Sequence, residues 1–149
     1  MNSEIIFEMR QINSNEYEEM LKVWESSVRA THDFLIEKDI ESLRPLVKTG
    51  LKEVENIVCV KEKNIIKAFM GIDKDKIEML FIKDEYRGHG IGKKLITYAI
   101  DKYNIKYVDV NEQNKKAVGF YLHLRFKEFD MSEIDGQGNP FPILHMKLT

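Results

Sequence analysis

The chain has 149 residues, about one ordinary domain, and its 43% apolar and 32% charged composition is that of a globular protein rather than a disordered tail. Lys and Arg number 23 against 25 Asp and Glu, and this formal net charge of −2 argues against a general nucleic-acid binder, which needs a net basic face. The opening MNSEIIFEMR lacks the features of a signal peptide, no run of about eighteen apolar residues predicts a membrane span, and a lone Cys59 excludes an internal disulfide framework, so a cytoplasmic protein is expected.

Residues 5–12 have strand character, with Ile5, Phe7 and Met9 on one face. Asn13 followed by Glu16 forms a capping-box pattern, and Ile12 with Tyr17 supplies the matching hydrophobic staple. Tyr17, Met20, Leu21, Trp24 and Val28 keep helical spacing behind it. A second helical stretch covers 36–53 through Ile40, Leu43, Val47 and Leu51, and Pro45 is expected to kink it or start a new segment. Residues 56–61 and 65–72 read as a hairpin turning at Lys63-Asn64, with Cys59 as a small buried hydrophobe in the apolar run 57–60. A polar turn over 73–76 leads to a strand over 77–82, and a glycine cluster follows. Ile91, Leu95, Ile96, Ala99 and Ile100 mark a helix to about residue 103. A short strand over 106–110 precedes a helix over 114–124 that carries Ala117, Val118 and Tyr121 on one face. Strands over 126–131 and 141–148, joined by the turn 135–139, complete a single mixed α+β domain over 1–149 in the order βααβββαβαββ.

Three of the eight glycines, Gly88, Gly90 and Gly92, fall within five positions between a strand and a helix. A Walker A loop ending at Gly92-Lys93 would need glycine at Arg87 and Ser or Thr at Lys94. A dinucleotide fingerprint starting at Gly88 would need glycine at Lys93. Neither fits. What remains is a turn stripped of side chains at alternate positions, whose amides can converge on an anion at the positive end of the following helix. Arg87, His89, Lys93 and Lys94 crowd that end. Cations there cost about a few tenths of a kcal/mol each unless an anion such as a diphosphate is bound. His32, His89, His123 and His145 show no ligand spacing, so no metal is expected.

The run Arg87-Gly88-His89-Gly90-Ile91-Gly92 resembles the acetyl-CoA signature Q/R-x-x-G-x-G/A of the GNAT N-acetyltransferase family. Downstream, the segment from Asn111 through Asn114, Ala117, Phe120 and Tyr121 is similar to that family's N-x-x-N-x-x-A-x-x-F-Y, and residues 77–82 resemble its central strand. Trp24, the stretch Ala30-Thr31-His32-Asp33-Phe34-Leu35 and Pro140-Phe141-Pro142-Ile143-Leu144 resemble the YjaB-type bacterial members. One departure stands out: Arg125-Phe126 replaces the family's Gly-Phe pair after the last helix, where glycine serves as a left-handed helix stop.

The resemblance implies a mixed, largely antiparallel sheet of about seven strands with helices on both faces, splayed between the fourth and fifth strands. It implies acetyl transfer to a primary amine by direct attack in a ternary complex, with acetyl-CoA as donor and no metal. The backbone of Leu80, Phe81 and Ile82 would pair with the pantetheine arm, and Arg87, Gly88, His89, Gly90, Ile91, Gly92 and Lys93 would hold the pyrophosphate. Asn114 would cap its helix and reach the donor. Tyr121 corresponds to the tyrosine that protonates the departing sulfur, and Glu78 is the leading base, with Asp33, His32 and His145 as other proton acceptors. Trp24, His32, Phe34, Phe141 and His145 are candidate acceptor contacts. A homodimer is compatible with this fold. The alternative is a binding module that senses acyl-CoA or contacts a partner without turnover.

Overall fold

The computed structural model describes residues 4–9, 11–136 and 138–149. The expected strand at Arg10, the opening three residues and the place of Gln137 in the turn 135–139 lie outside the described residues. The elements are β1 (Ile5–Met9), α1 (Ser14–Thr31), α2 (Glu37–Glu53), β2 (Asn56–Glu62), β3 (Ile65–Asp73), β4 (Lys76–Ile82), α3 (Ile91–Tyr103), β5 (Tyr107–Asn111), α4 (Lys115–His123), β6 (Phe126–Ser132) and β7 (Ile143–Leu148), with a 3-10 turn at Asp84–Tyr86. The seven strands form one sheet in the order β1-β2-β3-β4-β5-β7-β6. Neighbours are antiparallel except β4 and β5, which run parallel.

The continuous apolar runs of β2 and β3 are explained by burial on both faces. Ile57, Cys59 and Phe69 pack with Met20, Leu21, Trp24 and Leu51 under α1 and α2. Val58, Val60, Ala68 and Met70 pack with Leu95, Ile96 and Ala99 under α3. Burial pushes the Cys59 thiol up to about 11, so it remains a protonated packing residue.

The capping box forms as expected: the Glu16 N–H donates to Asn13 Oδ1 at 2.9 Å, and the Asn13 N–H donates to Glu16 Oε1 at 3.2 Å. One expectation needs correction, the new segment at Pro45. Helix α2 runs unbroken through Pro45; the carbonyl that loses its donor belongs to Glu41, and both residues are exposed, so water can satisfy it. Ile5, Phe7 and Met9 alternate along β1 and share a face as expected; Ile5 and Phe7 are exposed on it, and the Phe7 ring is covered by Lys61 Nζ at 5.0 Å.

Two irregularities in β4 create the site. Gly71 faces Met79 and Ile72 faces Ile77, so Glu78 is the extra residue of a β-bulge. On the other edge, β4 pairs with β5 only at Lys76–Tyr107 and Ile77–Val108. β5 continues to pair with β7 as far as Asn111. Beyond Ile77 the edge of β4 therefore has no strand partner on its β5 side, and the sheet opens as a wedge.

Candidate active site

A cleft of about 570 Å³ occupies that wedge, bordered by residues 77–82 of β4, residues 108–111 of β5, the loop into α3, the start of α4 and the end of α1. Its first half is made largely of backbone. Gly88 and Gly90 have φ of +79° and +83°, the left-handed region where a Cβ is strained. Gly90 is the N-cap of α3, and no side chain caps that helix. The first-turn N–H groups thus lack intrahelical partners at the positive helix end beside the cleft. A Cβ on Gly92 would lie 3.0 Å from Phe120 Cζ and 3.2 Å from Ile82 Cδ1, so this glycine lets α3 sit closely on β4 and α4.

The basic cluster divides. Arg87 and Lys93 border the cleft. His89 is exposed and does not line it, and Lys94 Nζ lies 3.4 Å from Glu4 Oε1. Tyr86, which also borders the cleft, carries Lys67 Nζ 4.6 Å from its ring centroid.

From α4, Asn114 and Tyr121 reach the same space. Asn114 is the N-cap: its Oδ1 accepts the Ala117 N–H at 3.2 Å, which leaves its NH₂ as the group it can offer a ligand. Tyr121 is 6% exposed and stacks edge-on between Phe120 and Phe126, with centroids at 5.1 and 5.6 Å. Burial raises its phenol well above the usual range, so it stays protonated at any working pH.

The opposite half is made of side chains. Glu78, at the bulge, borders the cleft, and desolvation raises its carboxyl against the opposing pull of Lys76; the Asp109 and Asp73 charges raise it further. Lys76 Nζ lies 2.6 Å from Asp109 Oδ2 and 3.9 Å from Glu78 Oε1. His145 Nδ1 is 2.7 Å from Asp109 Oδ1, and Ser132 Oγ is 2.7 Å from His145 Nε2. A carboxylate accepts, so the His145 Nδ1–H donates to Asp109. At the end of α1, Ser27, Thr31 and His32 complete the wall. His32 stacks on Phe34 at 5.3 Å, and Phe34 on Phe141 at 5.5 Å.

Residues 29–149 match the acetyltransferase (GNAT) domain family. The chain is a GNAT acetyltransferase. It is 36% identical over 142 residues to the peptidyl-lysine N-acetyltransferase YjaB of Escherichia coli, covering 95% of this chain and 97% of that protein. The solution structure of apo YjaB from Escherichia coli superposes with a TM-score of 0.86 at 34% identity, over 97% of this chain and 98% of that one. A PaiA N-acetyltransferase of Thermoplasma acidophilum, solved in complex with coenzyme A, shares the fold at a TM-score of 0.67 and 22% identity, over 96% of this chain and 99% of that one.

The GNAT chain is an acetyl-CoA-dependent N-acetyltransferase. Among the described residues no group of three or more His, Cys, Asp and Glu is placed to hold a metal ion. No described helix is long and apolar enough to cross a membrane.

The structure brings most of the residues singled out from the sequence to this one cleft. Trp24 is not among them: it is 2% exposed in the core beneath α1. Phe34 and His145 stand one contact removed from the wall, through His32 and Asp109, and Phe141 stands two removed, through Phe34. Asp33 is exposed beside His32. Sequence reasoning missed Asp109, Lys76, Thr31 and Ser132. Asp109 did leave a signal, a charge between Val108 and Val110 in a strand, but its partners lie on β4 and β7 and depend on sheet register.

Proposed function

We propose that this GNAT enzyme acetylates the ε-amine of a lysine residue in a peptide or protein, with residues 1–149 acting as one catalytic domain in the cytoplasm. The observation that carries the reading is the site's polarity. A glycine loop suited to a diphosphate lies at one end of the cleft, and the carboxylates Glu78 and Asp109 border the other, where an alkylammonium would be attracted. The 36% identity to a peptidyl-lysine N-acetyltransferase supports the same acceptor.

The amides of residues 87–93, with Arg87 and Lys93, would hold the pyrophosphate of acetyl-CoA; His89 would contribute its backbone. The free edge formed by Leu80, Phe81 and Ile82 would pair with the pantetheine amides as an added strand. A backbone N–H near Leu80, beside the Glu78 bulge, would donate to the thioester carbonyl oxygen and stabilise the charge that develops there. The Asn114 NH₂ would bind the same arm from the other wall.

An alkylammonium has a pKa of about 10.4 and must lose a proton before it attacks. Glu78, whose carboxyl is raised by burial, takes that proton directly or through a water. The amine lone pair then forms the N–C bond, the C–S bond breaks, and its electron pair leaves on sulfur. Tyr121 gives its phenolic proton to that sulfur and is reprotonated from solvent, so the products are the amide and free CoA. No covalent acyl-enzyme is required.

The test is mass spectrometry of lysine peptides, N-terminally free peptides and polyamines incubated with labelled acetyl-CoA. Label on lysine ε-amines supports the reading; label confined to polyamines or α-amines overturns the acceptor assignment.

A further inference from the structure

At the end of α1, one hydroxyl sets the protonation of a ring at the cleft. Thr31 Oγ1 lies 2.7 Å from the Ser27 carbonyl oxygen and 2.8 Å from His32 Nδ1. A hydroxyl has one proton, and a carbonyl has none to give. The short approach to Ser27 therefore consumes the Thr31 proton, and only a lone pair remains for the histidine. His32 Nδ1 must be the donor. The neutral ring is then the Nδ1–H tautomer, and its Nε2 is a bare acceptor.

The backbone that carries this ring is held on both sides. The His32 N–H donates to Val28 O at 2.8 Å, ending α1, and the His32 carbonyl accepts from the Leu35 N–H at 3.0 Å. Ser27, Thr31 and His32 all border the cleft. Desolvation holds the imidazole down to about 4 against the opposing charge of Asp33, so at neutral pH the ring carries no charge that would repel a cation. The aromatic row from His32 through Phe34 to Phe141 leads from the cleft edge to the segment before β7. An unbranched alkyl chain can lie on such faces, while its terminal nitrogen has a proton to donate.

We propose that His32 Nε2 accepts a hydrogen bond from the incoming amine and positions it for attack, and that the acceptor is an unbranched alkylamine whose chain lies along Phe34 and Phe141. This rests on the acetyl-transfer reading above and adds the residue that orients the acceptor. Glu78 keeps the proton-transfer role, and His32 acts as a positioning residue.

Two measurements decide it. In the first, long-range ¹H–¹⁵N spectra of histidine-labelled protein are recorded with CoA, before and after adding propylamine. The expected result is a His32 Nε2 signal of the unprotonated type that shifts on titration. An Nε2–H tautomer, or an unprotonated Nε2 that propylamine leaves unmoved, overturns the proposal. This readout needs no turnover, so it stands even if the parent acetylates no amine and the acetyl-transfer reading fails.

In the second, His32→Gln and His32→Leu are compared with the parent on a lysine peptide, with acetyl-CoA affinity as the control for folding. The Gln Oε1 can replace the Nε2 acceptor and Leu cannot. Loss of that bond should raise the acceptor KM of His32→Leu about tenfold, with His32→Gln within about threefold of the parent and acetyl-CoA affinity equal in all three. An unchanged acceptor KM in His32→Leu, or an equal rise in both variants, overturns it.

Discussion

The two halves of the cleft are built from different materials. The half proposed for the donor comes from nearly contiguous chain: the free edge of β4, the glycine loop and the first turn of α3, with backbone groups beside the cleft. The half proposed for the acceptor is assembled from side chains on α1, β4 and β5, with β6 and β7 behind Asp109. A backbone site tolerates changes of side chain but not an added one. A side-chain site fails one residue at a time, in the acceptor's kinetics rather than in donor affinity.

The largest expected effect breaks the donor half. Gly90→Glu forces a non-glycine residue to φ +83° and places a carboxylate where the pyrophosphate would lie. Acetyl-CoA binding measured by calorimetry should be abolished, while unfolding stays cooperative with a strain cost of about 1–2 kcal/mol.

Next is the proposed acid. Tyr121→Phe keeps the edge-on packing against Phe120 and Phe126 and removes only the donor. Its kcat should fall about 100-fold or more, with acetyl-CoA affinity unchanged.

The base on the acceptor side should show itself through pH. Glu78 must be ionised to act, and its carboxyl is raised above the ordinary value, so the parent's kcat/KM should fall as pH drops through that raised value. In Glu78→Gln the rate should be lower by about tenfold or more, and this acid limb should disappear from the profile.

A smaller effect concerns stability. His32 titrates at about 4 in the folded chain and near its ordinary 6.5 when unfolded, so the unfolded chain takes up the proton first as pH falls. The stability associated with the neutral ring is full above 6.5 and declines between 6.5 and 4, by up to about 3 kcal/mol. Urea midpoints at several pH values should show that slope in the parent and a shallower one in His32→Gln.

The smallest effect lies outside the cleft. Arg125 adopts φ +74° after α4, accepting a conformation that glycine takes without strain. Its carbonyl is held by the Thr149 N–H and hydroxyl at 3.0 and 2.9 Å. Arg125→Gly should raise stability by about 1 kcal/mol in thermal melts without altering either substrate's kinetics.

The same contrast explains what could be read in the sequence. The half proposed for the donor is local, so the spacing of Gly88, Gly90 and Gly92 is legible as a turn suited to an anion, whereas Asn114 and Tyr121 stand out only because their segment resembles the family's. The element order and the capping box at Asn13 were legible for the same reason. The acceptor half depends on register. Nothing near Asp109 in the chain announces that Lys76 and His145 will flank it, and the bulge that presents Glu78 exists only against β3. Trp24 shared its helical spacing with core residues and belonged to the core. Pro45 suggests a kink or a new segment, but α2 continues through it, because an exposed proline costs one hydrogen bond whose carbonyl can turn to water.

The central claim is direct acetyl transfer from bound acetyl-CoA to a lysine amine, with Tyr121 as the acid. Its most direct test is initial CoA release with acetyl-CoA and a lysine peptide both varied, in the parent and in Tyr121→Phe. The account predicts intersecting double-reciprocal lines for the parent, as a ternary complex requires, and a depressed kcat with unaltered acetyl-CoA affinity in the variant. Parallel lines, or a Tyr121→Phe enzyme that turns over at the parent's rate, would contradict it.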